Sequence, residues 1–529
     1  MPRKNTTELS RAKTPESVGV SSREVQAFID HCMTLGKELH SVIVIRRGKV
    51  ACEVYREPFA PQFRHAMYSV SKSITATAIG FAVGEGVIAL DTRFVDIFPE
   101  ARKVQSSPYL EKLTVEDLLT LRSGLSVTPL MDKTKDRWFE DIIGSNWVTE
   151  PGTEFFYINE NLYLLCCIIH KKYNMSVIDF LMPRLFEPLG IERPFWETCP
   201  RGVEAGGWGI MMKPMDLAKI ILTYLNGGVY NGKQVLPEGW AQAATQKQTE
   251  TCNSKDQLDT KQGYGYCFWR CGGYLNAFRA DGMFSQFGIG FEDLDAVAVI
   301  NCGEINEQAM RDVVWEHFPK AFIDDDKSAE PVELSIPPYE KLRARPRSSM
   351  EHRLRGHRIV FNKPLLLNAI GFPVSTLPLT ATFMGKDKAG NITNISIEPL
   401  EDELIFSWSE GKEINRIHVG MDGEYRFDNI VLGQMPFTTC AIGCWNNANE
   451  LEIIIRPMEA AAARRLVLKF HGDLVTLKPT ALPDTSAMVE NLVGSVKSVF
   501  KSAALRKPIE TVMPHLTPLV DLVHIGVIK

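Results

Sequence analysis

The stretch "HAMYSVSKSITATAIGFAVGEGVIAL", residues 65–90, places Ser69 and Lys72 three positions apart at the start of a long apolar run. Three residues turn a helix by about 300°, so both side chains would leave one helix face, one turn apart. A serine at a helix start can offer its backbone N–H and the positive helix end to an anion. Apolar surroundings would lower the pKa of Lys72, and a neutral amine could then act as the base for the Ser69 hydroxyl.

A purely structural interpretation competes with this one. Ser69 is also a favoured helix cap, and Lys72 could extend its ammonium along the apolar surface to water. The four-residue pattern cannot decide between the two, because Ser-x-x-Lys also occurs at Ser10/Lys13, Ser409/Lys412 and Ser498/Lys501.

Length and composition narrow the class of protein. A chain of 529 residues exceeds the size at which one core keeps growing, so we expect two or more domains. The net charge of −5 lacks the basic bias of a nucleic-acid-binding protein. No apolar run approaches the roughly 20 residues that span a bilayer, and the basic start is not followed by the apolar run of a secretory signal. We therefore expect a cytoplasmic protein with no transmembrane segment.

The cysteines predict neither disulfides nor a metal site. Their number, eleven, is odd, and they follow no regular framework. The pairs Cys267/Cys271 and Cys440/Cys444 lack nearby histidines, so a zinc site is not expected. We expect buried, reduced thiols, no metal and no cofactor.

The order of predicted elements divides the chain into four parts. Residues 1–325 begin with a helix in which Ser21 and Glu24 have capping-box spacing, then run through strands, helices and strands again. This order predicts an α/β or α+β sandwich with helices on an antiparallel sheet. A charged, proline-rich linker follows at 326–350, and short alternating strands at 351–482 predict a small all-β barrel or sandwich.

Residues 483–529 form the predicted tail, which carries an amphipathic helix. Its apolar face comprises Met488, Val489, Leu492, Val496, Val499 and Phe500. We expect this face to dock on the protein itself, although a membrane or partner contact is the alternative. The β module or this tail could also mediate a homo-oligomer.

Two further segments add candidate residues. Tyr157 and Asn159 lie on a short link before a helix, although Tyr-x-Asn also occurs at Tyr224/Asn226 and Tyr274/Asn276. Gly282 lies inside a predicted strand, where a missing side chain indicates close approach of another backbone or a ligand.

With these segments the chain resembles the β-lactamase-related serine hydrolases over roughly residues 14 to 320. That family includes class C β-lactamases, serine D-Ala-D-Ala peptidases, β-lactamase-fold carboxylesterases and 6-aminohexanoate-oligomer hydrolases. Six blocks agree with it in order and spacing: Ser69–Lys72, Leu113–Leu125, Pro151–Leu165, Pro188–Ile191, Gly206–Lys219 and Ala280–Gln286. The resemblance implies an α+β fold, an antiparallel sheet flanked by helices with an all-helical subdomain.

The resemblance also implies an acyl-enzyme mechanism. Ser69 would be the nucleophile, Lys72 its base, and Tyr157 the group that protonates the leaving group and later activates water. Asn159 would hydrogen-bond Lys72 and substrate. The backbone N–H groups of Ser69 and of Met283, the residue after Gly282, would form the oxyanion hole.

One departure bears on the substrate. The third motif begins with Lys or His in many relatives, and here it begins with Ala280, followed by Asp281. Strand alternation sends Arg279 to the opposite face from Ala280, so Arg279 is a poor substitute for that cation. The usual Gly-Gln end of this block is also replaced, by Ser285-Gln286.

We therefore expect hydrolysis of small, neutral esters or amides through an acyl-enzyme on Ser69. The alternatives are a true β-lactamase or D-Ala-D-Ala peptidase, and a non-catalytic binding or assembly protein that retains the fold. His65 is expected to be structural or to line the pocket, since neither a matching Asp motif nor a Gly-x-Ser-x-Gly elbow accompanies it. Trp147, Trp208 and Phe156 are expected to line the acyl pocket, with core packing as a nearly equal explanation.

Overall fold

A computed structural model describes residues 7–126, 136–251, 257–323, 330–361, 392–410, 413–432, 435–482 and 523–529. These residues form two compact units that meet in sequence between Pro337 and Pro338, inside the predicted linker. We call them the N-terminal and the C-terminal unit.

Twelve α-helices lie within the described residues. In chain order they are α1 (Ser22–Thr34), α2 (Ser71–Gly84), α3 (Phe94–Ile97), α4 (Val115–Leu119), α5 (Trp138–Ile143), α6 (Glu160–Tyr173), α7 (Val177–Leu181), α8 (Glu187–Leu189), α9 (Pro214–Leu225), α10 (Trp240–Thr245), α11 (Glu307–Ala321) and α12 (Met350–Leu354). No helix in these ranges is long and apolar enough to cross a membrane.

The strands of the N-terminal unit include a central sheet and short accessory pairs. They are β1 (Leu39–Arg46), β2 (Lys49–Tyr55), β3 (His65–Ala66), β4 (Phe195–Trp196), β5 (Ile210–Met212), β6 (Val229–Tyr230), β7 (Lys233–Gln234), β8 (Trp269–Arg270), β9 (Ala277–Gly282), β10 (Gln286–Phe291) and β11 (Ala296–Cys302). The central sheet has the order β2-β1-β11-β10-β9-β8, and its neighbours all pair antiparallel.

Helices cover both faces of this sheet. On one face α1 and α11 pack over a continuous apolar core, and on the other α9 packs against β1, β10 and β11. Every residue of β1 is consequently buried. The predicted cap of α1 is confirmed, because the Ser21 side chain accepts a hydrogen bond from the Glu24 N–H.

The helices between β2 and β8 form the helical part of the N-terminal unit. Here α2 packs against α6 and α7, while α6 also packs against α4 and α5. Most of α2 is buried on all sides, so its polar side chains lie inside the protein. The predicted antiparallel sheet with flanking helices and a helical subdomain is confirmed.

Part of the predicted linker packs on the N-terminal unit. The Val332 N–H donates to the Ser22 hydroxyl and the Ser335 N–H donates to Gln26, both at 2.9 Å. Residues 330–337 therefore lie along α1.

The C-terminal unit is an all-β barrel, as predicted. Its strands are β12 (Arg358–Phe361), β13 (Ile392–Pro399), β14 (Glu403–Glu410), β15 (Glu413–Gly420), β16 (Arg426–Leu432), β17 (Met435–Asn447), β18 (Glu450–Pro457), β19 (Ala463–His471), β20 (Leu474–Leu482) and β21 (His524–Ile528). They follow the order β15-β14-β13-β12-β21-β20-β19-β18-β17-β16, and a parallel bridge from Gly420 to Ile442 joins β15 to β17.

The end of the chain differs from the expected helical tail. His524–Ile528 is a strand that pairs with β12 on one side and β20 on the other. Both edges of this strand thereby find backbone partners, which satisfies its N–H and C=O groups. The predicted amphipathic helix at Met488–Phe500 lies outside the described residues.

Candidate active site

Ser69 lies in a tight turn directly before α2. This turn, Tyr68–Val70, is a 3₁₀-helix, and α2 begins at Ser71 with Val70 at its N-cap, so Ser69 is not the cap of α2. Tyr68 has the unusual φ of 46°. The Ser71 hydroxyl holds the turn, because it donates to the Tyr68 carbonyl at 2.6 Å and accepts from the Ile210 N–H at 3.2 Å. The half-buried Ser69 is thereby presented on a constrained backbone.

Lys72 lies one turn further on and is only 1% exposed. Its Nζ is 2.9 Å from Ser69 Oγ, 2.7 Å from Asn159 Oδ1 and 2.8 Å from the carbonyl oxygen of Gly207. An ammonium has three N–H donors, so these three acceptors take all of them. Lys72 is therefore held in one position and does not reach bulk water.

Tyr157 and Asn159 come from the link before α6. Asn159 is the residue immediately before that helix. The Tyr157 ring centroid lies 4.7 Å from Lys72 Nζ. Tyr157 is 41% exposed, so solvent reaches this residue. The structure thus brings Ser69, Lys72, Tyr157 and Asn159 together at a place that solvent reaches.

Burial sets the ionisation of this group. Loss of water lowers the pKa of Lys72 from 10.5 to about 7, although the charges of Glu160 and Asp281 act in the opposite direction. Desolvation raises the pKa of Tyr157 above its usual range, and the nearby Ser69 hydroxyl offsets part of this rise. At neutral pH a large share of the Lys72 side chains is neutral while the Tyr157 phenol keeps its proton.

Gly282 and Met283 lie across from Ser69 at the end of β9. A Cβ on Gly282 would lie 2.3 Å from the carbonyl oxygen of Met67, which confirms the expected close approach of another backbone. Met283 begins the turn to β10, in which Phe284 and Ser285 have φ of 62° and 63°. This left-handed conformation costs non-glycine residues about 1–2 kcal/mol each.

Buried Gln286 holds this strained turn in place. Its Nε2 lies 2.9 Å from the Phe284 carbonyl and 2.6 Å from the Cys302 carbonyl, and its Oε1 accepts from Asn301 at 2.9 Å. The Ser285 hydroxyl donates to the Glu304 carbonyl at 3.1 Å. These hydrogen bonds hold the left-handed turn, which explains how Ser285-Gln286 can stand at the end of the third motif, where Gly-Gln is usual.

The expected orientation of the third motif is confirmed. Ala280 pairs with Gly288, whose position faces Ile221 of α9, so Ala280 is on the α9 face of the sheet. Arg279 and Asp281 are on the opposite face, where their side chains pair at 2.7 Å.

Asp281 is also 3.0 Å from Arg311 of α11, and both guanidiniums are at most 1% exposed. Arg279 donates further to the Asp259 carbonyl oxygen at 3.0 Å. The Asp281 carboxylate is therefore compensated by two buried cations, and neither of these cations is available to a substrate.

A family model described as Beta-lactamase matches residues 25–303, which is more than half of the chain. The chain belongs to the Beta-lactamase family. It is 28% identical over 218 residues to 6-aminohexanoate-dimer hydrolase of Paenarthrobacter ureafaciens, a match that covers 38% of this chain and 55% of that protein. It is 23% identical over 259 residues to penicillin-binding protein 4 of Amycolatopsis lactamdurans, covering 42% and 67% respectively.

Among solved structures, the chain is similar to the octameric penicillin-binding protein homologue of Pyrococcus abyssi. The two are 14% identical with a TM-score of 0.47, and the match covers 86% of this chain and 97% of that one. The chain spans about half the length of the first of its curated relatives.

In this Beta-lactamase-family chain the sequence did not predict one group of the site. That group is the Gly207 carbonyl, which accepts a hydrogen bond from Lys72. A Cβ at Gly207 would lie 2.7 Å from Asn159 Oδ1, so glycine is required for Asn159 to reach Lys72. The only signal in the sequence was the double glycine at the start of the Gly206–Lys219 block. A backbone acceptor leaves no side-chain pattern, which is why motif reasoning missed it.

The surroundings of His65 support a structural role, one of the two roles expected for it. His65 is buried on β3, and its Nε2 is 2.9 Å from Nδ1 of His40. Its Nδ1 is 3.1 Å from the Ala66 carbonyl oxygen, and burial lowers the pKa of the ring to about 4. His65 is therefore a neutral, hydrogen-bonded ring.

The three aromatic candidates for the pocket differ in their surroundings. The Trp147 ring lies 6.0 Å from that of Tyr109, and Trp208 donates from Nε1 to Glu197 at 2.9 Å. Phe156 is half-buried, and its N–H donates to the Leu121 carbonyl at 2.9 Å. Which of these three side chains line the acyl pocket stays a prediction.

Proposed function

We propose that this protein is a serine hydrolase that cleaves small, neutral esters or amides through an acyl-enzyme on Ser69. The observation that carries the proposal is the 2.9 Å contact between Lys72 Nζ and Ser69 Oγ, with the pKa of that lysine lowered to about 7. A base whose pKa lies near the working pH is suited to proton transfer in both directions.

Acylation begins with neutral Lys72. Its two N–H groups donate to Asn159 Oδ1 and the Gly207 carbonyl, so its lone pair points toward the Ser69 hydroxyl. Lys72 takes the hydroxyl proton as Oγ attacks the substrate carbonyl carbon. The N–H groups of Ser69 and Met283 stabilise the oxyanion, and such a donor typically contributes about 10²–10³ in rate.

The leaving group departs with a proton from Tyr157. Because the pKa of Tyr157 is raised, the phenol is protonated at neutral pH and can donate to a departing alkoxide or amine. Lys72 then returns the Ser69 proton to the phenolate. In the second half-reaction water attacks the acyl carbon and gives a proton to this same Lys72–Tyr157 pair. The pair then passes a proton to the departing Ser69 oxygen, which restores the free enzyme.

The charges around β9 support a neutral substrate. The position that carries a cation in many relatives is Ala280, and the nearby Arg279 and Arg311 are both bound to Asp281. A substrate carboxylate would have to lose its hydration at this strand without a cation in exchange, which is costly. We therefore favour esters and amides over penicillins and D-Ala-D-Ala peptides, and efficient turnover of nitrocefin would overturn this preference.

Labelling with a fluorophosphonate probe tests the nucleophile. Wild type should form one covalent adduct, which intact mass detects, and Ser69→Ala should form none. Ser10→Ala is the matched control, since Ser10 also begins a Ser-x-x-Lys sequence and lies exposed near the N-terminus. Labelling of Ser69→Ala, or failure of wild type to label, would favour the non-catalytic alternative. Panels of esters, amides and β-lactams with the same mass readout would then identify the acyl group.

We also propose a cytoplasmic location and a homo-oligomeric assembly for the protein. The ten cysteines within the described residues are all free and buried, which supports a reducing, cytoplasmic environment. A homo-oligomer that uses the C-terminal unit is testable by light scattering of wild type against a chain that ends before that unit.

A further inference from the structure

A cluster of histidine and carboxylate side chains lies between the first and last helices of the N-terminal unit. His31 is on α1, and Glu316 and His317 are neighbours on α11. His31 Nδ1 is 3.0 Å from His317 Nε2, and the ring centroids are 5.3 Å apart. His31 Nδ1 is also 3.7 Å from a Glu316 carboxylate oxygen. The proposed hydrolysis uses none of these residues.

A second carboxylate orients His317. Nδ1 of that ring is 2.8 Å from Oε1 of Glu24 on α1. A carboxylate only accepts hydrogen bonds, so Nδ1 carries the proton, and in the neutral ring Nε2 keeps its lone pair. That lone pair points toward His31 and away from Glu24. A carboxylate on the far nitrogen is the usual arrangement of a histidine that binds a metal.

The spacing of the ligand atoms fits a small divalent cation. One atom each from His31, Glu316 and His317 lies within 4.8 Å of the others. Zn²⁺ with bonds of about 2.0–2.1 Å in a tetrahedral site holds its ligands about 3.3 Å apart. The observed separations of 3.0 Å and 3.7 Å lie on either side of this value.

We propose that His31, His317 and Glu316 bind one Zn²⁺, with water as the fourth ligand and Glu24 as the carboxylate that orients His317. Two imidazoles with one carboxylate are ligands that suit Zn²⁺. On binding, His31 presents Nδ1 without its proton and keeps a proton on Nε2. Because the two histidines are 286 residues apart in sequence, the ion links the two ends of the N-terminal unit and stabilises its folded state.

Zinc binding by the full chain, after removal of any affinity tag and dialysis against a chelator, tests this site. Equilibrium dialysis with metal analysis should find one high-affinity Zn²⁺ per wild-type chain, and the apparent melting temperature should rise with Zn²⁺ concentration. His31→Ala should weaken binding at least tenfold, and Glu24→Gln about 10–100-fold. His352→Ala, an exposed histidine of the C-terminal unit, is the matched control and should bind as wild type does.

Two results would overturn the proposal. One is wild type that retains no Zn²⁺, and the other is equal affinity and stoichiometry in His31→Ala and wild type. Co²⁺ in place of Zn²⁺ provides a second measurement, because a tetrahedral site gives an intense visible absorption that His31→Ala should lose. The half-exposed Glu316 supplies a further variant, Glu316→Gln, that spares the packing of His317. Neither measurement depends on hydrolytic activity, so both test the zinc site independently of the proposed function.

Discussion

The pH dependence of hydrolysis should follow the ionisation of Lys72. Only the neutral amine can take the Ser69 proton, and burial lowers the pKa of Lys72 to about 7. Its neutral fraction should grow from about one tenth at pH 6 to about nine tenths at pH 8. The kcat/KM for a neutral ester should therefore rise about tenfold over this range and then level off.

The same pKa requires a change in stability. Between pH 7 and pH 10.5 the unfolded chain keeps a proton on Lys72 that the folded chain has lost, so the free energy of unfolding rises with pH. From pH 6 to pH 9 this effect amounts to about 2.7 kcal/mol at these pKa values. Below pH 6 both states hold the proton and the slope disappears. Lys72→Met should lack this contribution.

Urea unfolding of wild type and Lys72→Met at several pH values isolates the effect, since the other titrating groups are common to both proteins. Lys171→Met, which removes a half-exposed lysine, is the control and should keep the slope of wild type. A kcat/KM that keeps rising about tenfold per pH unit from pH 6 to pH 10 without levelling off near pH 8, or equal pH slopes in wild type and Lys72→Met, would refute the reasoning. Lys72 would then have its ordinary pKa.

Three further substitutions test the site. Gly207→Ala puts a Cβ 2.7 Å from Asn159 Oδ1. We therefore expect the unfolding free energy to fall by about 1–3 kcal/mol and kcat/KM to fall tenfold or more. Wild-type kinetics in this variant would contradict the contact. Tyr157→Phe should lower kcat/KM by about 10²–10⁴ while the pH midpoint stays near that of Lys72, and a displaced midpoint would instead make Tyr157 the base. Gln286→Ala removes the donor to the Phe284 and Cys302 carbonyls. The unfolding free energy should fall by about 1–3 kcal/mol, and kcat should fall with it. An unchanged kcat would show that the geometry of this turn does not affect catalysis.

The sequence indicated the candidate residues of the site in two ways: Ser69 and Lys72 form a local pattern, and the roles of the other residues are implied by the family resemblance. Ser69 and Lys72 are three residues apart across the junction between the 3₁₀ turn and α2, so their contact follows from local helical geometry and depends little on the rest of the fold. The opposite faces of Arg279 and Ala280 follow from strand alternation in the same way, and the close approach at Gly282 follows from its missing side chain.

Other features of the site could not be predicted from local patterns. Ser69 is in a 3₁₀ turn and not at the cap of α2, because Ser71 binds the Tyr68 and Ile210 backbone from inside the protein. The Asp281 carboxylate finds Arg311 on a helix 30 residues further along the chain. Which residues pair with Asp281 depends on how distant segments pack, and the sequence around Asp281 does not indicate them.

The amino-acid sequence alone determined the antiparallel sheet with flanking helices and named the candidate residues of the site, since periodicity and short motifs are properties of neighbouring residues. Only the tertiary structure decided how Lys72 ionises, because that depends on the water excluded by segments distant in sequence. It also decided that the Gly207 carbonyl binds Lys72 and that the histidines of α1 and α11 meet. The physical reason is that desolvation and long-range contacts arise only when distant parts of the chain pack together.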